Sequence, residues 1–256
     1  MTLDAYELAI FVLLGLAVGS FLNVCIHRLP RGQSLNSPPS RCPSCEYRLR
    51  WSDNIPVLSY VFLGGRCRQC RAKISIRYPL VELITMALFV IHGLVFGWSA
   101  ILIPRLVFAC AMVVLFAIDL EHQLLPNVIT LPGIVVGLIA STVLPPGIID
   151  ALIGVVIGGG VLWVIGEAYF RYSGHEGMGG GDVKMLAMIG AFLGWKLVLV
   201  TLVLSSVLGS IIGVIVIAAR KGGMKYALPY GTFLALGALV ASLAGDRIVN
   251  WYVGLY

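Results

Sequence analysis

Apolar runs dominate this chain, and their breaks set its organisation. The first runs from Tyr6 to His27. Further runs fall near Pro79–Phe96, Ala100–Ile118, Val128–Leu144, Ile149–Phe170, Val183–Leu193, Leu197–Ala219 and Leu228–Ala244. Most approach the ~20 residues that a helix needs to cross a ~30 Å hydrocarbon core. The sixth is short, so it either starts below the membrane surface or tilts little. Breaks such as Pro145-Pro146-Gly147 are strong helix stops. The pattern predicts an all-α polytopic membrane protein of about eight transmembrane helices. Between the first and second lies one long polar loop, Arg28 to Tyr78. Small residues recur where membrane helices pack closely (Gly158, Gly159, Gly160; Gly209, Gly213). In the first run, Gly19, Ser20 and Asn23 form a small and polar stripe about one helical turn apart. Gly19 suits close packing, and Asn23 is a polar residue near the loop end.

Composition closes off a soluble domain. The 256 residues are 59% hydrophobic and 12% charged, with a mean hydropathy of +0.96. The first run is long enough to span and lacks the small-residue cleavage site of a secretory leader. The net charge of +6 does not point to nucleic acid, because the basic residues gather beside spans. Residues 28–78 hold 10 of the 18 Lys and Arg against 2 of the 12 acids. Such an excess marks the cytoplasmic side, so the N-terminus is expected outside. Alternation then puts Asp119–Asn127, Arg171–Asp182 and the cluster Arg220, Lys221, Lys225 in the cytoplasm. The Pro145–Ile148 turn, the Trp195–Lys196 turn and the C-terminal tail fall outside.

The loop contains Cys42-Pro-Ser-Cys45 and Cys67-Arg-Gln-Cys70. Two CxxC pairs supply the four soft thiolates of a closed tetrahedral Zn²⁺ site. A polar segment of this size has no other means of building a core. Disulfide pairing is the competing reading, and the cytoplasmic side disfavours it. Cys25 and Cys110 lie within apolar runs and read as inert packing residues.

Two acids interrupt the apolar pattern at the same expected membrane face. Asp119 ends the third run in IDLEHQLLPN, and Asp182 ends GMGGGD where an apolar helix resumes. A carboxylate at the mouth of a membrane helix is costly without a function or a partner. Asp182 is expected to N-cap its helix. The glycines before it leave the backbone free to take positive φ and to lie against a bound peptide. Two carboxylates brought together can share one proton, so that one activates water while the other protonates a leaving group. Asp182 is expected to start as the base on water and Asp119 as the acid polarising the scissile carbonyl.

The stretches GSFLNVCIHRLP, the two CxxC pairs, NIPVLSYVFLGGRCRQC, ISIRYPLVELIT, IDLEHQLLPN and GMGGGDVKMLA, in this order and spacing, resemble the bacterial type IV prepilin peptidases. The resemblance covers nearly the whole chain. It places the family's GxGD motif on Gly179, Gly180, Gly181 and Asp182, and the other catalytic aspartate on Asp119. It implies an eight-span inner-membrane aspartic protease with its dyad facing the cytoplasm. The implied reaction is cleavage of prepilin or pseudopilin leaders after glycine, followed by N-methylation of the exposed residue with S-adenosylmethionine. For the methyltransferase half it points to Glu82 and Asn23. Glu82 also reads as a helix-buried carboxylate paired with a loop Arg. Two positions depart from the family pattern: Thr232 stands where a proline often follows the glycine, and Asn127 where Asp is frequent. The division expected is residues 1–27 as the first span, 28–78 as the four-cysteine zinc loop, and 79–256 as a seven-helix peptidase domain. A peptidase without methyltransferase activity is the alternative of the same fold. A proton- or ion-coupled transporter is the alternative of another class. It would place acids near mid-membrane on broken helices with repeat symmetry, and no inverted repeat is visible.

Overall fold

A computed structural model describes residues 3–175, 179–219 and 229–254. Gly177 of the glycine stretch and the basic cluster Arg220, Lys221, Lys225 lie outside the described residues. The chain is helical: α1 (Ala5–Arg28), α2 (Leu58–Phe62), α3 (Arg77–Phe96), α4 (Leu102–His122), α5 (Asn127–Ala140), α6 (Ile148–Ser173), α7 (Gly180–Ala219) and α8 (Tyr230–Val253). Among the described residues six of them, α1, α3, α4, α6, α7 and α8, are long and apolar enough to cross a membrane, and α5 is a shorter apolar helix. The chain divides into two compact units, residues 1–102 and 103–256.

In the first unit α1 and α3 pack closely because α1 offers glycines. A Cβ on Gly15 would stand 2.6 Å from the Met86 Cα, and one on Gly19 would stand 2.7 Å from the Glu82 Cα. Gly19 therefore has the packing role its sequence suggests. α1 opens on a capping box: Glu7 N–H donates to Asp4 Oδ1 (2.8 Å) and Asp4 N–H to Glu7 Oε2 (3.0 Å). At its other end the buried Arg28 donates to the Ser34 carbonyl at 2.8 Å and starts the loop.

The second unit is built around α7. At 40 residues a continuous helix would reach ~60 Å, twice the hydrocarbon core. It is interrupted at Gly194, whose φ of 77° and ψ of 171° are not helical. The packing shows that the chain reverses there, because Gly181 at the start of the first arm and Gly231 at the start of α8 both lie against Leu125, while Leu197 lies toward the far end of α8. On the second arm Gly209 lies by Phe233, and Ser205 and Thr201 lie by Gly237. Leu197 lies by Gly245, so this arm runs antiparallel to α8. The first arm, 180–193, runs antiparallel to α6: Gly154 meets Gly190, and Gly158 meets Leu186. The two runs expected at Val183–Leu193 and Leu197–Ala219 are therefore separate arms. They meet at the single residue Gly194 rather than in a turn at Trp195–Lys196. The core of this unit gathers Phe108, Met112, Leu115, Met185, Leu186, Met188, Ile189 and Leu234, all fully buried.

Two expected ends are corrected. α8 does not stop at Ala244 but continues to Val253. Gly245 lets the helix pass Leu197, and the buried Arg105 of α4 donates to Ser242 Oγ at 3.3 Å and feels the charge of Asp246. α5 ends at Ala140 rather than Leu144.

Candidate active site and metal centre

Three helix ends converge at the acids. Asp119 lies one turn before the end of α4 and is 5% exposed, although an apolar environment is costly for a carboxylate. Its Oδ2 accepts two hydrogen bonds from Thr232, one from the backbone N–H at 2.7 Å and one from Oγ1 at 3.1 Å. Thr232 is the third residue of α8. There the backbone N–H has no acceptor within the helix, so the helix start serves as the carboxylate's donor. The preceding residue must be glycine. A Cβ on Gly231 would stand 2.9 Å from Asp119 Oδ2 and 2.9 Å from Leu125 Cδ1.

Asp182 comes in on the opposite helix start. It was expected at the N-cap but is the third residue of α7, inside the first turn, and its N–H donates to the Gly179 carbonyl at 3.1 Å. The helix begins earlier because Gly180 and Gly181 join it. None of Gly179, Gly180 and Gly181 has positive φ, so no unusual backbone conformation requires them, and only Gly181 is sterically required. A Cβ on Gly181 would sit 3.0 Å from the Leu125 Cβ, and one on Gly180 would meet nothing within 4 Å. Leu125, which is buried, is thus the shared wall between Gly181 and Gly231. The two acids act on each other: the Asp119 charge is the one that bears on Asp182. Beside them Lys184 Nζ donates to Asn127 Oδ1 at 3.0 Å, so the unusual Asn127 has a partner. Gly231, Thr232 and Leu125 complete this site. In the sequence Thr232 stands out only as a departure from the family pattern and the other two do not stand out at all, because their partners lie on other helices.

The four loop cysteines come together as expected. Cys42, Cys45, Cys67 and Cys70 bring their sulfur atoms within 4.8 Å of one another, and none is in a disulfide. The two pairs repeat one geometry. Bridges join Arg41 to Arg48 and Arg66 to Lys73. Cys42 N–H donates to Tyr47 O, and Cys67 N–H to Ala72 O. The residue after each second cysteine has positive φ, 56° at Glu46 and 60° at Arg71. Backbone N–H groups of Cys70 and Gln69 draw the Cys67 thiol down to about 7. The Tyr47 N–H favours the Cys45 thiolate, yet desolvation and the neighbouring thiols together push that group up to about 12. Four thiols so placed cannot all ionise unless a cation replaces their protons, which is how a metal site behaves.

Glu82 and Asn23 lie together where α1 meets α3. Glu82 is 7% exposed, and its Oε2 accepts the Val57 N–H at 2.7 Å. The loop contact on it is therefore a backbone group. Asn23 Nδ2 donates to Tyr78 O (3.0 Å) and Gly19 O (3.3 Å), and its buried Oδ1 has no hydrogen-bond partner.

An all-helical chain with helices long and apolar enough to cross a membrane, and with two acids near enough for the charge of one to bear on the other, defines a class: a multi-pass membrane protein with an acidic site among its helix ends. Comparison with known proteins gives the family. Residues 13–96 match the bacterial peptidase A24 N-terminal domain, and residues 106–214 match the type IV leader peptidase family. The chain is 40% identical to a prepilin leader peptidase/N-methyltransferase of Pseudomonas aeruginosa, over 94% of this chain and 92% of that one. A protein of the same name from Neisseria gonorrhoeae is 35% identical, over 98% of this chain and 96% of that one. One from Myxococcus xanthus is 42% identical, over 82% and 64%. No solved structure matches. The chain belongs to the type IV leader peptidase family.

Proposed function

We propose that this chain is a membrane aspartic endopeptidase that removes the leader of type IV prepilins or pseudopilins after glycine and N-methylates the new N-terminal residue. The observation that carries the reading is that Asp119 of α4 and Asp182 of α7 border one place: Leu125 lies against both Gly231, beside Asp119, and Gly181, beside Asp182, and the Asp119 charge bears on Asp182. Eight spans follow if α5 and both arms of α7 cross or enter the bilayer. The peptidase domain is then 79–256, after the first span (1–27) and the four-cysteine loop (28–78). We assign both the dyad and the loop to the cytoplasmic face of the inner membrane, on the basic charge of residues 28–78, with both termini outside.

In the reaction one carboxylate takes a proton from water as the water attacks the carbonyl carbon. The other, protonated, gives a hydrogen bond to the carbonyl oxygen; proton return to the amide nitrogen then breaks the C–N bond. Asp119 Oδ2 is committed to two donors, so when Asp119 carries the shared proton it does so on Oδ1. The two donors on Asp119 Oδ2 favour its ionised form, so we assign Asp119 as the initial base and Asp182 as the initial acid, the reverse of the order expected from the sequence. The open space at Gly180, beside Gly179 and Gly181, leaves room for the peptide backbone.

Zinc fits the four thiols of Cys42, Cys45, Cys67 and Cys70 and would hold the loop together. S-adenosylmethionine supplies the methyl group when bound. We assign Glu82 and Asn23 to that half, because the unpartnered buried Asn23 Oδ1 is an acceptor open to a donor-bearing ligand. The test is incubation of purified protein with a prepilin in detergent, followed by N-terminal sequencing of the product. Cleavage after glycine by the parent, and none by Asp119→Asn or Asp182→Asn, is the expected result. Near-normal cleavage by Asp119→Asn would make Asp119 an interfacial acid and refute the dyad.

A further inference from the structure

The loop between α1 and α3 does not simply stand above the membrane. Val57 reaches into the span region, because its N–H is bonded to Glu82, the sixth residue of α3. Two measures give the depth. Glu82 packs against Gly19, nine residues before Arg28, which corresponds to ~13 Å along α1. Along α3, Glu82 lies beyond Leu80, whose side chain is 51% exposed on an apolar helix and so faces lipid. Val57 holds this inward course at φ 59° and ψ −49°, a conformation that a β-branched residue rarely adopts. Its bond to Glu82 offsets the strain and satisfies a carboxylate that is costly at that depth.

The chain then forms α2 directly after Val57. Leu58, Val61 and Phe62 share one face of this turn at i, i+3 and i+4, and are 54%, 66% and 85% exposed. Ile55 and Trp51 are also exposed on the approach. Aqueous surroundings would make so much uncovered apolar and aromatic surface unfavourable. The loop on either side of it in sequence carries Arg48, Arg50, Arg66, Arg68, Arg71 and Lys73, of which Arg68 is paired with Asp53. An apolar, aromatic-bearing segment with a cationic rim fits the headgroup–acyl boundary of an anionic leaflet.

We infer that residues 55–62 form an interfacial insertion: α2 seats its Leu58–Val61–Phe62 face in the bilayer, latched by the Val57–Glu82 bond, while the basic loop holds anionic headgroups. The inference rests on α1 and α3 spanning the membrane and is independent of the dyad. Full-length Phe62→Trp in nanodiscs tests it, the added emission being read against the parent protein. Lipids brominated on the acyl chain near the headgroup should quench that emission. It should be blue-shifted, and quenching should be stronger with brominated phosphatidylglycerol than with brominated phosphatidylcholine. Adding Leu58→Asp should abolish the quenching while the protein keeps its metal content, which reports an intact loop. Emission quenched by aqueous iodide but not by bromolipid would overturn the insertion. So would quenching relieved by a leader-bearing precursor, which would mark a peptide-binding face instead. Equal quenching in the two lipids would overturn the role given to the basic rim.

Discussion

Gly231 is the residue on which the geometry of Asp119 depends most directly. Any side chain there would collide with Asp119 Oδ2 and with the Leu125 wall at the same time. The carboxylate would have to turn away from Thr232, losing two hydrogen bonds, or α8 would have to withdraw. A displacement of ~1 Å at a reacting group can cost ~100-fold in rate. Gly231→Ala should therefore lower kcat for prepilin cleavage by roughly that factor, measured by gel assay of the purified variant. Methylation of an already cleaved peptide should be unchanged, since that chemistry is assigned to Glu82 and Asn23. Gly180→Ala is the contrast: its Cβ would meet nothing, so its effect should be read in KM for peptide rather than in an unfolded enzyme. The two aspartates were legible in the sequence because a charge within an apolar run is costly and therefore conspicuous. Gly231 and Leu125 were not, because glycine and leucine are ordinary in membrane helices. Only the fold reveals that one touches a carboxylate and the other forms its wall.

Among the elements, the cysteine knuckles lend themselves to the clearest test. Each pairs a CxxC with a bridge and a positive-φ residue, and the four thiols share a space that charge repulsion would open without a cation. Purified protein should hold about one zinc per chain, and Ser at Cys42, Cys45, Cys67 or Cys70 should release it, as metal analysis would show. Zinc binding should also release protons and weaken as pH falls through about 7, where the Cys67 thiol takes up its proton. A metal-free protein with the four cysteines in disulfides would refute the site. CxxC spacing made this element legible, since the ligand atoms and the turn are coded within a few residues. Helix ends were less so. Asp182 stands inside the first turn of α7 because glycines, poor helix formers in isolation, start the helix with Gly181 packed against Leu125. α8 runs past the polar Asp246 and Arg247 because Arg105, on a distant helix, answers Asp246. Partners this far apart in sequence leave no local trace in the pattern of apolar positions.

At the scale of the whole molecule, the short helices matter as much as the long ones. α5 and the first arm of α7 extend only ~21 Å each at 1.5 Å per residue, less than the ~30 Å core. Both begin next to the dyad, so the acids can lie below the surface of the bilayer while remaining reachable from that side. A peptide can come to such a site only from the face on which the dyad opens. In the proposed topology, argued from the charge of the loop, that face is the cytoplasmic one. The substrate should then be a single-span precursor whose short leader stays in the cytoplasm, with its apolar helix beside the enzyme's own. Reversing the charges that flank the precursor's span would carry the leader across the membrane without altering the scissile residues. Processing of that inverted precursor should stop in vesicles, while the same precursor solubilised in detergent, where sidedness is lost, should still be cleaved. Cleavage in intact vesicles would contradict the assigned topology, and loss of cleavage in detergent as well would show that the flanking charges are read by the enzyme itself.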